Sequence, residues 1–267
     1  TSEAEYIISS LQATAFTSAT ATAVDHGYIG STSLATIGMN DKMLYVERGA
    51  GRVWTFEYSL EIDGWRSSDL TIFAPHIAGE HGGFKRASMI RKPDSTALYV
   101  LGDGQLALCT YNSLQEVKAW HRWTTNGIIH EVCGMPNGNK QDRIFLIVQR
   151  DTTTAIEVID DESDYTDNGE DYESTLVTMP LHNPAEEYIA KNHSTRIIAY
   201  FCDPFTLAAD NLTVSLDGEE WFASDMFDGV VDKGWYQFIS PRNWKYSYSA
   251  HIKVKGNQAF NILALQA

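Results

Sequence analysis

Short apolar runs, rich in β-branched and aromatic residues, recur along the chain between turns of Gly, Pro, Asn and Asp. Such runs read as strands, and nothing sustains the 3.6-residue stripe of a long helix. The clearest pair lies between Met43 and Tyr58. Met43, Leu44, Tyr45 and Val46 form one run and Val53, Trp54, Phe56 and Tyr58 the next. Gly49 and Gly51, between them, are expected to supply the positive φ of a tight reversal. The same grammar recurs. Leu34 to Ser59, Arg86 to Ser113 and Glu131 to Asp160 each hold a strand, a polar turn with Asn-Asp, Pro-Asp or Asn-Gly, and then a hairpin. Tyr45, Tyr99 and Phe145 are expected at the same place in the inner strand of each, with separations near the ~40–50 residues of one propeller blade. A four-stranded blade cannot bury both faces alone, so the repeat predicts sheets packed face to face. Trp65, Trp120 and Trp123 then belong to outer strands or to blade-to-blade packing.

Outside the repeat the pattern changes twice. Ser9 to Thr32 is rich in Ser, Thr and Ala without a helical apolar stripe, and reads as extended chain, either an edge strand or an arm laid on a neighbouring subunit. Asp160 to Glu173, DDESDYTDNGEDYE, is acidic and poor in apolar residues. Beyond it, Arg196–Cys202, Leu212–Leu216, Trp235–Ile239, Ala250–Val254 and Phe260–Leu265 read as further strands. The expected class is therefore all-β. Propeller-like antiparallel blades occupy 1–159, an acidic linker 160–180, and a small C-terminal antiparallel β domain 181–267.

A chain of 267 residues buries roughly three quarters of its unfolded surface and can build its own core. It begins TSEAEY, without an initiator Met or an apolar leader, and reads as the C-terminal piece of something longer. No apolar run approaches the roughly 18 residues of a membrane-spanning helix, so no membrane anchor is expected. Cys109, Cys133 and Cys202 are far apart and unpaired in spacing, which suggests reduced core residues in place of a disulfide framework or zinc site. The net charge of −15 and pI near 4.8 oppose stable binding of nucleic acid, which depends on Lys and Arg neutralising phosphates. An acidic wall would instead repel passing phosphate.

Candidate chemistry is sparse. Asp164, Asn168 and Gly169 fall where a calcium loop wants its first, fifth and sixth positions, but Thr166 and Thr175 occupy the third and twelfth, and a solvated linker fits better. Ser215 to Phe222 is similar to the Ser-x-Asp-x-Gly…Trp turn of sialidase-type propellers, one residue short because Gly218 directly follows Asp217. The arginines are scattered and the histidines lack ligand spacing, and no nucleophile elbow, phosphate loop or dinucleotide fingerprint occurs. No catalytic residue, cofactor or metal ligand is predicted, and no enzymatic activity. Clustered aromatics such as Trp120, Trp123, Trp235, Tyr236 and Trp244 suit either a carbohydrate platform or inter-sheet and interface packing.

YVERGAGRV (Tyr45–Val53), WTFEYSLEIDGW (Trp54–Trp65) and DLTIFAPHI (Asp69–Ile77) resemble, in that order and spacing, a tail protein family of tailed bacteriophages. Its members include the nozzle or tail-tube components of short-tailed phages. The likeness is densest from Gly38 to His121 and includes the closing NILALQA. It implies a structural virion protein, assembled in the host cytoplasm, that forms a homo-oligomeric ring of six subunits in the tail. Such a ring joins adaptor, portal and tail fibre proteins and channels DNA at ejection. Arg48, Gly49, Gly51, Glu57, Asp63, Gly64 and Asp69 match its signature and are expected to fix the hairpin and the turn after it. The alternative is a carbohydrate-binding or glycan-cleaving module of a tail fibre or spike.

Overall fold

The computed structural model describes residues 3–10, 15–18, 20–138, 140–159 and 166–171, and beyond these the backbone of the strands named below for the second unit. The protein is all-β, built of several antiparallel sheets. It divides into two compact units, Thr1–Ser163 and Asp164–Ala267.

In the first unit, β1 (Glu5–Ser10) and β2 (Ala21–Gly27) form an antiparallel pair, so part of the Ser/Thr-rich segment is a strand. Next come β3 (Ile37–Met39), β4 (Lys42–Val46), β5 (Val53–Ser59) and β6 (Gly64–Asp69), hydrogen-bonded in sequence order. A four-residue helix, α1 (His76–Gly79), leads to β7 (Phe84–Ile90), β8 (Thr96–Leu101), β9 (Leu106–Asn112) and β10 (Val117–Trp123), again neighbours in order. A third sheet holds β11 (Ile128–Met135), β12 (Arg143–Arg150) and β13 (Thr153–Ile159).

Two apolar clusters join these three sheets. Leu44, Val46 and Val53 of the first sheet meet Ala97, Tyr99, Leu101 and Cys109 of the second. On the other side of the second sheet, Leu98, Val100, Leu106 and Leu108 meet Ile129, Val132, Ile144, Leu146 and Val148 of the third. Alternation along β8 sends odd residues into one cluster and even residues into the other, which is why this strand is apolar throughout and buried at every position. Each fully buried Leu there contributes roughly 1.5–3 kcal/mol.

Three sequence expectations need correction. The positive φ between β4 and β5 belongs to Ala50, at 56°, and not to Gly49 or Gly51. Its N–H bonds the Glu47 carbonyl at 2.9 Å while its own carbonyl accepts from Phe84 N–H at 2.8 Å, so a contact with the second sheet selects the conformation. Phe145 does lie in the second strand of its sheet, but it does not share a place with Tyr45 and Tyr99. Tyr99 faces the preceding sheet and Tyr45 points away from the following one, whereas Ile144, Leu146 and Val148 take the corresponding direction in β12 and Phe145 is turned outward. A one-residue slip in register reverses every side chain. Finally, Cys109 is buried, but Cys133 is exposed on the outer face of the third sheet and Cys202 lies outside the described residues.

Close backbone approaches hold the sheets together at their ends. Gly83, at φ 76°, leaves room for the Ala50 carbonyl of the β4–β5 turn, which a Cβ there would crowd, while its own carbonyl continues the β7–β8 ladder by accepting from Gly102 N–H at 2.8 Å. A Cβ at Gly134 of β11 would collide with the Met89 carbonyl of β7.

The second unit contains β14 (Thr166–Asp167), β15 (Glu170–Asp171), β16 (Ser174–Val177), β17 (Arg196–Phe201), β18 (Phe205–Thr206), β19 (Leu212–Leu216), β20 (Glu219–Phe222), β21 (Val230–Val231), β22 (Gly234–Ile239), β23 (Ile252–Gly256) and β24 (Ile262–Gln266). β14 pairs with β15 and β18 with β21. Two larger antiparallel sheets run β16-β23-β19-β20 and β22-β17-β24. Asn168 and Gly169, weighed above as calcium-loop residues, both have positive φ and form the turn between β14 and β15.

Candidate functional site

The signature residues gather around the first sheet, because its ladder places them opposite one another. Glu57 of β5 lies directly across from Arg66 of β6, and Lys42 of β4 follows in the same row. Lys42 Nζ is 2.5 Å from one Glu57 oxygen and Arg66 Nε donates to the other at 3.1 Å. Lys42 also lies over the Tyr111 ring of β9, 5.6 Å from its centre, so this ion triad bridges to the second sheet. Burial alone would push the Glu57 carboxyl up, but Lys42 and then Arg66 outweigh it and hold the group below its ordinary value. Burial likewise opposes the Lys42 charge, and hydrogen bonds to Glu57 and Tyr111 hold its ammonium above the usual range.

Asp69 closes β6. One of its oxygens accepts from Thr71 N–H at 2.8 Å and from the Thr71 hydroxyl at 2.7 Å, and the other from Arg52 at 2.8 Å. Thr71 Oγ in turn accepts from Val53 N–H at 3.3 Å, which ties the outgoing chain to the start of β5. Asp63 sits in the β5–β6 turn at φ 47° and accepts from the Tyr58 hydroxyl. Asp tolerates this left-handed conformation better than most residues. Gly64 pairs with Ser59 across the same turn. Arg48 is exposed, with its backbone N–H bonded to the Gly30 carbonyl at 3.1 Å. Gly49 and Gly51 both stand over the Glu47 carboxylate, 3.5 Å from where a Cβ would lie, and that carboxylate accepts from Trp54 Nε1 at 3.2 Å. These residues brace a hairpin and carry no nucleophile–base pair.

Sequence reasoning overlooked several members of the arrangement. Lys42 and Arg66 become visible once β4, β5 and β6 are aligned in register. A second cluster joins α1's exit loop to the β8–β9 turn: His81 Nδ1 and Arg122 Nη2 contact the same Asp103 oxygen at 2.8 and 3.0 Å. Trp120 of β10 donates to the Leu70 carbonyl at 3.1 Å and packs with Phe84 and Tyr99, so it lies between sheets.

The outer faces of the stack differ from each other. The first sheet's outer face is aromatic, with Phe56 stacked on Trp65 at 5.1 Å and Tyr58 edge-on to the same indole. The third sheet's outer face carries exposed aliphatic residues, Ile147, Ile156 and Val158, beside Phe145 and Cys133. Among the described residues no group of His, Cys, Asp or Glu is placed to hold a metal ion, and no helix is long and apolar enough to cross a membrane. No family model matches the chain, and no curated protein gives a significant match.

Proposed function

We propose that this chain is a structural virion protein, part of the nozzle or tail-tube ring of a short-tailed phage, with a propeller-like first unit and a mechanical role in channelling DNA. The observation that carries this reading is the face-to-face stack of three sheets with unlike ends, one aromatic with Tyr45 and Phe56 already buried and the other an exposed aliphatic face. Unlike faces favour heterologous contacts between copies, and such contacts generate rings when the rotation closes. Charge supports the channel. Lys42, Arg52, Arg66, Arg86, Arg122 and Arg150 are all engaged with carboxylates inside the first unit. The chain as a whole carries −15, so a moving duplex would be repelled and not held. Adaptor, portal and fibre proteins are the expected partners.

The test is imaging of intact virions with the chain placed in density, together with microscopy of the full-length protein. Closed rings are expected, and they should fail to form in Ile156→Asp, which charges a side chain 76% exposed on the aliphatic end face. A protein that stays monomeric or trimeric, or density that puts the chain at a fibre tip, refutes the reading. A carbohydrate-binding module of a fibre or spike is a second reading, and a different feature favours it: a groove between the second and third sheets.

A further inference from the structure

That groove, of about 320 Å³, falls within the roughly 300–1,000 Å³ typical of small-ligand sites. Its floor is apolar, from Leu108 and Ile144. Here a four-stranded sheet faces a three-stranded one, and β10, the edge strand of the larger sheet, keeps a partly open face. His121 and Trp123 are two apart on β10, so they share a face with their ladder partners Leu108 and Leu106. Their rings are 5.8 Å apart and inclined by 55°, and Trp123 is 38% exposed. Burial lowers the His121 pKa, which favours a neutral ring able both to donate and to accept.

The opposite wall is polar and braced. Asp142 accepts from the N–H groups of Arg91 and Lys92 at 2.8 and 3.2 Å, and Lys92 Nζ donates to the Gly138 carbonyl at 3.0 Å. The two wall loops are thereby tied to each other. From this wall Arg143, Asn137 and Asp94 line the groove, and among the described residues none of their side chains is committed to an ion pair or hydrogen bond. An apolar ligand would strand those groups, and an anion would meet Asp94 and Asp142. A ring with one C–H face and several hydroxyls satisfies both walls, because planar amide, guanidinium and carboxylate groups pair with adjacent hydroxyls while the indole covers the C–H face.

We propose that this groove binds one pyranose ring of a neutral glycan, stacked on Trp123 and hydrogen-bonded by Arg143, Asn137 and Asp94. The proposal holds whether or not the chain assembles into a ring. Its test is saturation-transfer NMR on the whole chain with methyl α-D-glucopyranoside, methyl α-D-galactopyranoside and N-acetyl-D-glucosamine. At least one should receive saturation, strongest on the protons of one ring face. Trp123→Ala and Asn137→Ala should each weaken binding about tenfold, equivalent to ~1.4 kcal/mol, while Leu114→Ala, at a turn residue 95% exposed, should leave it unchanged. No transfer to any of the three sugars, or transfer that persists equally in both groove variants, overturns the proposal. If Trp123→Ala fails to fold, Asp94→Ala and Asn137→Ala, both in loops, decide the matter.

Discussion

Replacing Glu57 by Gln preserves shape and removes one charge from the triad that links the first sheet to the second. The Glu57 and Lys42 side chains are only 11% and 15% exposed. Removing one partner of a fully buried pair costs about 3–5 kcal/mol, and of an exposed pair at most about 1. The Gln carbonyl can still accept one hydrogen bond from Lys42, so the expected loss is about 2 kcal/mol. Two units in one chain rule out a single two-state melt, and hydrogen exchange read by peptide is the better assay. Peptides covering β4 to β6 should exchange about 30-fold faster in Glu57→Gln, with the strands of the second unit as internal reference. The pH dependence has a definite sign. Because the folded Glu57 carboxyl is held below its ordinary value of 4.5, its contribution is present above that value and disappears as the pH falls through the lowered one. Lys42, held above 10.5, loses its contribution only at higher pH still and takes no part in the acid limb. The difference between wild type and variant should therefore persist at neutral pH and shrink below about pH 4. Equal protection at neutral pH, or a difference that widens on acidification, would refute the reasoning.

Two further substitutions probe the junctions between sheets. The Tyr99 hydroxyl is buried without a partner while its ring packs 4.9 Å from Phe84 and 5.9 Å from Trp120. Tyr99→Phe should accordingly gain about 1 kcal/mol, seen as slower exchange in β8, and a loss would show that the hydroxyl has a partner. Gly134→Ala should cost about 1–3 kcal/mol by forcing β11 away from the Met89 carbonyl. Gly38→Ala, whose Cβ would meet nothing within 4 Å, should stay within about 0.5 kcal/mol. Hydrogen exchange in the first unit that finds the two alike removes the close approach.

The parts of this fold that were legible are those fixed by neighbours in sequence. The β4–β5 and β8–β9 hairpins announce themselves through short apolar and aromatic runs on either side of polar turns, and the strand β17 through RIIAYF. Register was harder where alternation fails. In β12, RIFLIVQR, five consecutive apolar residues leave the inward face undetermined, and only the pairing of Leu146 with Val132, both in the second cluster, fixes Phe145 outward. The same logic places Cys133 outside, since Val132 beside it points in. Ala50 took the conformation expected of glycine because a hydrogen bond to Phe84, 34 positions away, governs the turn, and no local rule carries that information. The ion triad was recoverable in principle from cross-strand pairing. The groove was not, because its walls come from segments that only the sheet stacking brings together.

The second sheet decides how the first unit responds to load. Among the described residues its neighbours share no apolar cluster with each other; each is attached through β7, β8 and β9, to Phe84, Ala97, Tyr99 and Cys109 on one side and Ile90, Leu98, Val100 and Leu108 on the other. Packed interiors transmit displacement because they contain few voids to absorb it, so a push on the first sheet reaches the third only through this central layer. The glycine contacts at its margins, Gly83 with Ala50 and Gly134 with Met89, fix the spacing at which the layers meet. A body built this way is held at both faces of one sheet and cannot lose that sheet without separating the other two. That behaviour suits the ring proposed above, whose subunits would have to keep a bore while DNA moves through it.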